Sequence, residues 1–144
     1  MNKEILNARR IYIDSNIIIY FIEAHEENRL YIRHLFSYVN EHNIQLVTSE
    51  ATIGECLYGA RKQQHAELVG RYTDLFNDAD ALELIPVERE TFEQAAEIGP
   101  PINLKLLDAL HVATAQSEGC DVFVTNDRGI KSMDDLKVVY LTEL

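Results

Sequence analysis

RRIYIDSNIIIYFIEA, residues 9–24, sets one acid, Asp14, between two apolar runs, residues 11–13 and 17–22. The first run is short and rich in isoleucine and tyrosine, which predicts a strand over 11–14. The second follows Asp14, Ser15 and Asn16, residue types that each cap a helix well, and predicts a helix over 16–24. A carboxylate at the junction of two core segments is costly unless a partner, a cation or a proton neutralises it. One cap suffices for one helix, so three candidates in succession point to a further use for these side chains.

Outward from this stretch the alternation continues. A helix is predicted over 27–42, where Ile32, Leu35, Phe36 and Val39 recur at helical spacing, and a strand over 44–48. Ser49 is the candidate N-cap of a helix over 50–64, followed by a helix over 66–77 and a strand over 82–87. The helix predicted over 88–98 is stopped by Gly99-Pro100-Pro101, and the one over 104–118 is closed by Gly119. A strand over 120–125, a helical turn over 129–133 and a last strand over 137–141 complete the chain. Short, β-branched strands alternating with helices predict an α/β fold, a three-layer α/β/α sandwich with a mostly parallel central sheet, in one domain spanning 1–144. Ligands on such sheets sit beyond the carboxyl ends of the strands, so the residues just after each strand matter most.

The 144 residues suffice to bury about two-thirds of the surface of the unfolded chain. No apolar run approaches the roughly 20 residues of a membrane span. MNKEILNARR carries no signal-peptide core before Ile11, so the expectation is a soluble cytoplasmic protein. Cys56 and Cys120 are isolated among apolar neighbours and read as reduced packing residues. A formal net charge of -11 argues against holding nucleic acid by charge alone, because phosphate contacts need Lys and Arg. It leaves room for an enzyme whose acids are neutralised by metal.

Three further acids stand beside Asp14 in importance. Glu55, in SEATIGECLYGARK (49–62), lies off a core stripe of Ile53, Cys56, Leu57 and Ala60, with the small residues Ala51 and Gly59 one turn away on either side. Asp108 lies in LKLLDALHVATA (104–115), apolar nearly all round and therefore a buried helix. The helix dipole contributes only about 0.3–1 kcal/mol to an exposed carboxylate, too little to justify burying one. Asp127, in FVTNDRG (123–129), follows a strand, although Asn-Asp-Arg-Gly is also an ordinary turn composition. Converging carboxylates resist ionising beside one another, and a divalent cation resolves that conflict. Oxygen ligands without a Cys or His cluster suit Mg²⁺ or Mn²⁺ better than zinc. His111, one turn after Asp108, reads as a core histidine rather than a base.

The segments YIDSNIIIY, ECLYG, LLDALHVATA and FVTND, in that order, make the chain resemble the PIN-domain ribonucleases, especially the toxin subunits of VapBC-type toxin–antitoxin pairs. The resemblance implies a metal-dependent ribonuclease that cuts RNA with Mg²⁺ or Mn²⁺, forms a homodimer and is silenced by a cognate antitoxin. It also implies that Asp14, Glu55, Asp108 and Asp127 are the catalytic, metal-holding quartet, with Ser15, Asn16, Thr125 and Asn126 positioning a water or a phosphate. Arg29, Arg33, Arg61 and Lys62 are candidate phosphate contacts. Ile130 departs from the aromatic residue found there in many relatives, which bears on local packing and not on the acids. The alternatives are a catalytically inert PIN-like module that binds RNA or protein, and a receiver-type protein, which would need a lysine near the strand ends where only Lys131 is found.

Overall fold

The computed structural model describes all 144 residues. Five strands, β1 (Arg10–Ile13), β2 (Gln45–Ser49), β3 (Glu83–Ile85), β4 (Val122–Thr125) and β5 (Lys137–Tyr140), pair in the order β3-β2-β1-β4-β5, and every pair is parallel. Seven helices connect and cover them: α1 (Lys3–Leu6), α2 (Ser15–Glu23), α3 (Arg29–Glu41), α4 (Glu50–Lys62), α5 (Ala66–Phe76), α6 (Arg89–Ile98) and α7 (Leu106–Ser117).

Alternation along the strands divides the interior into two layers. Ile11 and Ile13 of β1, Leu46 of β2, Val122 and Val124 of β4 and Val139 of β5 face one side, where they join Ile17 and Ile18, Leu35, Cys56 and Tyr72 in a cluster of 20 buried residues. Tyr12, Val47 and Phe123 face the other side and pack on Val112 and Ala115 of α7 together with Ile130 and Leu136. The rings of Tyr12 and Phe123 lie nearly parallel, 5.1 Å between centroids. Ala95, Ala109, Leu110 and Ala113 knit α6 to α7. The three-layer sandwich inferred from the alternating pattern is the fold observed. No helix is long and apolar enough to cross a membrane.

Several local expectations give way. The predicted helical turn over 129–133 is absent: the Asp127 side chain accepts the Gly129 N–H at 2.8 Å, and the Met133 and Leu136 backbones bond each other. Side-chain capture of a backbone donor here displaces helix formation. A Cβ on residue 129 would sit 3.1 Å from that Asp127 oxygen, which accounts for the glycine. β3 spans only three residues, because Pro86 has no N–H to continue the ladder. On α4 the buried line is Thr52, Cys56 and Ala60, not Ile53; the Thr52 hydroxyl bonds that of Thr48 at 2.7 Å and so enters the core at little cost. Residues 26–28 form a separate 3₁₀ turn before α3, and α1, with Asn2 accepting from the Glu4 N–H at 2.8 Å, lies in a segment without predicted structure. Gly119 closes α7 with φ +65°, as a helix-terminating glycine does. Ile130 is fully buried, so the position that departs from the family pattern is packed.

Strand order runs outward from β1 in both directions, β2 on one side and β4 on the other. The crevice at such a reversal, beyond the carboxyl ends of the strands, is where this architecture can bind a ligand.

Candidate active site

The crevice opens where β1 gives way to α2. The Asp14 N–H continues the ladder to the Val124 carbonyl at 3.0 Å, and its side chain then caps α2, accepting the Ser15 N–H at 2.8 Å. The other carboxylate oxygen accepts the Thr125 hydroxyl at 2.7 Å and the Asn16 amide at 3.3 Å. Asp14 is therefore both a cap and a site residue, held rigid at 3% exposure.

Thr125, the last residue of β4, ties three groups together. While its hydroxyl donates to Asp14, its oxygen accepts from the Asn16 amide at 3.2 Å and from the Asp127 N–H at 3.0 Å. It is fully buried, so the expected contact with a phosphate or water is replaced by a strut between two acids. Asn16 also accepts the Asn126 N–H at 3.1 Å, and the Asn126 amide donates to the Tyr20 hydroxyl at 3.2 Å. Asp127 itself is exposed, its turn role and its place beside the crevice coexisting.

Glu55 reaches the crevice from α4. One oxygen accepts the Ser15 hydroxyl at 3.1 Å; the other lies 2.5 Å from His111 Nε2. His111 is a core residue at 1% exposure, as expected from its apolar helix, but it is also part of the site. Its Nδ1 lies 2.6 Å from the Tyr12 hydroxyl, and its Nε2 is 3.9 Å from Asp14. Burial, the largest single influence on this ring, opposes the charged form. The Glu55 bond and the charges of Asp14, Glu55 and Asp108 together outweigh it, and His111 titrates above its ordinary value.

Asp108 stands in the first turn of α7, half-buried. Burial, followed by the charges of Asp14 and Asp127, pushes its carboxyl above the ordinary aspartate value; Glu55 adds to this and His111 opposes it. No hydrogen bond offsets these effects. The four acids, separated by up to 113 positions in sequence, thus share one electrostatic neighbourhood.

No three His, Cys, Asp or Glu side chains are grouped tightly enough to enclose an ion between them. A hard cation such as Mg²⁺ needs no such enclosure, since it keeps several waters and takes one or two carboxylates alongside a phosphate. Asp108, half-buried and without a hydrogen-bond donor, is the group whose ionised form most lacks a counter-charge. The donor set, all oxygen and excessively acidic, fits such an ion.

Tyr12 and His111 escaped the sequence reading as site residues. Alternation along β1 and spacing along α7 could have placed both on the shared sheet–helix face, but not their polar ends against each other. Cys56 and Cys120 are free and buried, and burial pushes each thiol up to about 12, with Glu55 adding at Cys56 and Arg10 opposing at Cys120.

A parallel five-stranded sheet with acids after β1 and β4 and on two flanking helices defines a PIN-like α/β domain. The PIN domain profile matches residues 11–136, and the chain belongs to the PIN-domain family. It is 24% identical over 131 residues to Ribonuclease VapC1 of Aquifex aeolicus (strain VF5), covering 90% of this chain and 89% of that one. Its structure is similar to VapBC2 from Rickettsia felis bound to a DNA fragment from their promoter, with a TM-score of 0.72 at 20% identity over 91% of this chain and 98% of that one. It is also similar to Mycobacterium tuberculosis VapC20, a sarcin-ricin loop cleaving toxin, with a TM-score of 0.63 at 17% identity over 78% of this chain and 86% of that one. At these identities the structural likeness is one of fold.

Proposed function

We propose that this chain is a Mg²⁺- or Mn²⁺-dependent ribonuclease that hydrolyses RNA phosphodiester bonds, acting in the cytoplasm as the toxin of a toxin–antitoxin pair. The observation that carries the proposal is the convergence of Asp14, Glu55, Asp108 and Asp127 on the switch point of the sheet without a lysine or arginine to balance them. Kinship with a protein named as a ribonuclease, and a fold shared with VapBC complexes, support the substrate class and an antitoxin as partner. A homodimer is part of the same proposal.

Asp14 and Asp108 would hold the ion, with Glu55 completing its surroundings directly or through water. Such an ion, when bound, acidifies a coordinated water and offsets charge on phosphoryl oxygens. The chain's own contribution is positioning. Thr125, Ser15 and Asn16 fix the Asp14 and Glu55 carboxylates, so that little rearrangement is needed when substrate arrives. Asp127, exposed at the mouth of the crevice, would accept a proton from, or orient, the attacking water. Attraction for an RNA backbone has to come from local cations, since the chain is acidic overall; Arg29, Arg33, Arg61 and Lys62 are all exposed.

Purified protein incubated with structured RNAs and Mg²⁺ or Mn²⁺ is expected to cut. Asp14→Asn and Asp108→Asn should each abolish cleavage while circular dichroism stays that of the parent. Undiminished cleavage by either variant overturns the assignment, and an uncut RNA retained by the parent protein favours the inert binding module.

A further inference from the structure

Tyr12 and His111 are both at most 1% exposed, Tyr12 in a cluster otherwise built from residues such as Val47, Val112, Phe123 and Ile130, with the His111 ring edge-on to its own. Packing alone would be served by phenylalanine and leucine, which bring no polar atoms to satisfy. Instead a hydroxyl and an imidazole are buried end to end: the Tyr12 oxygen lies 2.6 Å from His111 Nδ1, and His111 Nε2 lies 2.5 Å from Glu55. The chain of contacts runs from the middle strand, through α7, to α4, and ends on an acid of the crevice.

The proton positions follow from the chemistry of the partners. An ionised carboxylate only accepts, so Nε2 carries the hydrogen that faces Glu55. In the neutral ring Nδ1 then holds a lone pair, and the Tyr12 hydroxyl donates to it. If the ring is charged, Nδ1–H donates to the Tyr12 oxygen and the Glu55 bond is unchanged. Either way the donor aimed at Glu55 is fixed by a buried phenol, and no change of protonation is required. The second Glu55 oxygen is held by the Ser15 hydroxyl, so the flexible side chain has one donor on each oxygen, from two different helices.

We infer that Tyr12 and His111 form a positioning relay that locks the orientation of the Glu55 carboxylate, with His111 as the positioning residue, Glu55 setting its tautomer and Tyr12 holding the ring from behind. The consequence for cation binding rests on the ribonuclease reading above; the relay itself does not. Partners that orient a metal-binding carboxylate from behind are worth about 10–100-fold in affinity or activity.

Two measurements test it. In ¹⁵N NMR of the imidazole, at a pH where the ring is neutral, the parent protein should show His111 as a single Nε2–H tautomer, and Glu55→Ala should convert it to a mixture. A mixture or an Nδ1–H ring in the parent overturns the relay. Mn²⁺ affinity of the protein without RNA, read by electron paramagnetic resonance, should fall about 10–100-fold in His111→Leu, which keeps apolar volume, and recover in large part in His111→Gln, whose amide can still donate to Glu55. Adding His111→Leu to Glu55→Ala should produce no further loss. Multiplying losses in the double variant, or a Gln variant no better than Leu, overturns the inference. If His111→Leu does not fold, Tyr12→Phe takes its place: weaker Mn²⁺ binding than the parent is expected, binding equal to the parent overturns the relay, and the tautomer of the parent is read as before. A parent protein with the expected tautomer but neither Mn²⁺ binding nor RNA cleavage would sink the ribonuclease reading and leave the relay standing.

Discussion

Acidic side chains crowd both ends of the sheet, and the two ends treat them differently. At the amino end Arg10 bonds Glu83 at 2.7 Å, and the Glu118 carboxylate and carbonyl at 2.9 Å each. Asp121 accepts the Arg9 and Arg10 N–H groups at 2.8 and 3.1 Å. There two glutamates share the Arg10 guanidinium, and Asp121 is met by two backbone N–H groups. At the carboxyl end the only basic group bonded to Asp14, Glu55 or Asp108 is His111. Arg128, beside Asp127 in sequence, turns away over the Tyr140 ring and bonds Thr142. Charge balanced inside the chain holds the fold together; charge left unbalanced is available to something that is not part of the chain.

Substitution should separate the ends, most visibly in activity. Arg10→Ala is expected to leave RNA cleavage within about twofold of the parent, against the total loss expected for Asp108→Asn. Cleavage lost in Arg10→Ala without unfolding would erase the distinction. Stability should move the other way. Removing a fully buried ion-pair partner costs about 3–5 kcal/mol and an exposed one under about 1. Arg10 and its partners are 20–36% exposed, so Arg10→Ala should lose roughly 1–2 kcal/mol in urea denaturation.

The smallest effect has the opposite sign. Asp108 and His111 both titrate above their ordinary values of 3.8 and 6.5. A group whose folded-state pKa is raised contributes stability below its unfolded value and loses it as pH rises through the folded one. The carboxyl end should therefore lose stability as pH rises above 3.8 and Asp108 ionises, and again above 6.5 as His111 gives up its proton. Asp108→Asn removes the first loss. At neutral pH it should raise the melting temperature slightly. A lower melting temperature for that variant at neutral pH would show that Asp108 is balanced after all.

The same contrast explains what could be read in advance. β1 and Asp14 were legible because a β-branched run followed by three capping residues leaves few alternatives, and Asp108 because a charge in an otherwise apolar helix stands out. The pattern of strands and helices gave the layers because each strand must bury both faces. Tyr12 and His111 were hidden for the converse reason. Each fits its element as an ordinary core residue, and only a contact across 99 positions of sequence reveals its polar end at work. Thr125 was placed in the site but with the wrong neighbour, since nothing local says that a threonine hydroxyl will be spent on an acid 111 residues away. The segment 129–133 was mistaken for a helical turn because local composition does not register the Asp127 side chain competing for the Gly129 N–H.

Isothermal titration of the RNA-free protein with Mn²⁺ bears most directly on the unbalanced carboxyl end. The parent should bind the ion with saturable heat, Asp14→Asn and Asp108→Asn should each weaken or abolish the signal, and Arg10→Ala should match the parent. Equal heats from the parent and both aspartate variants would contradict the assignment of these acids to a cation.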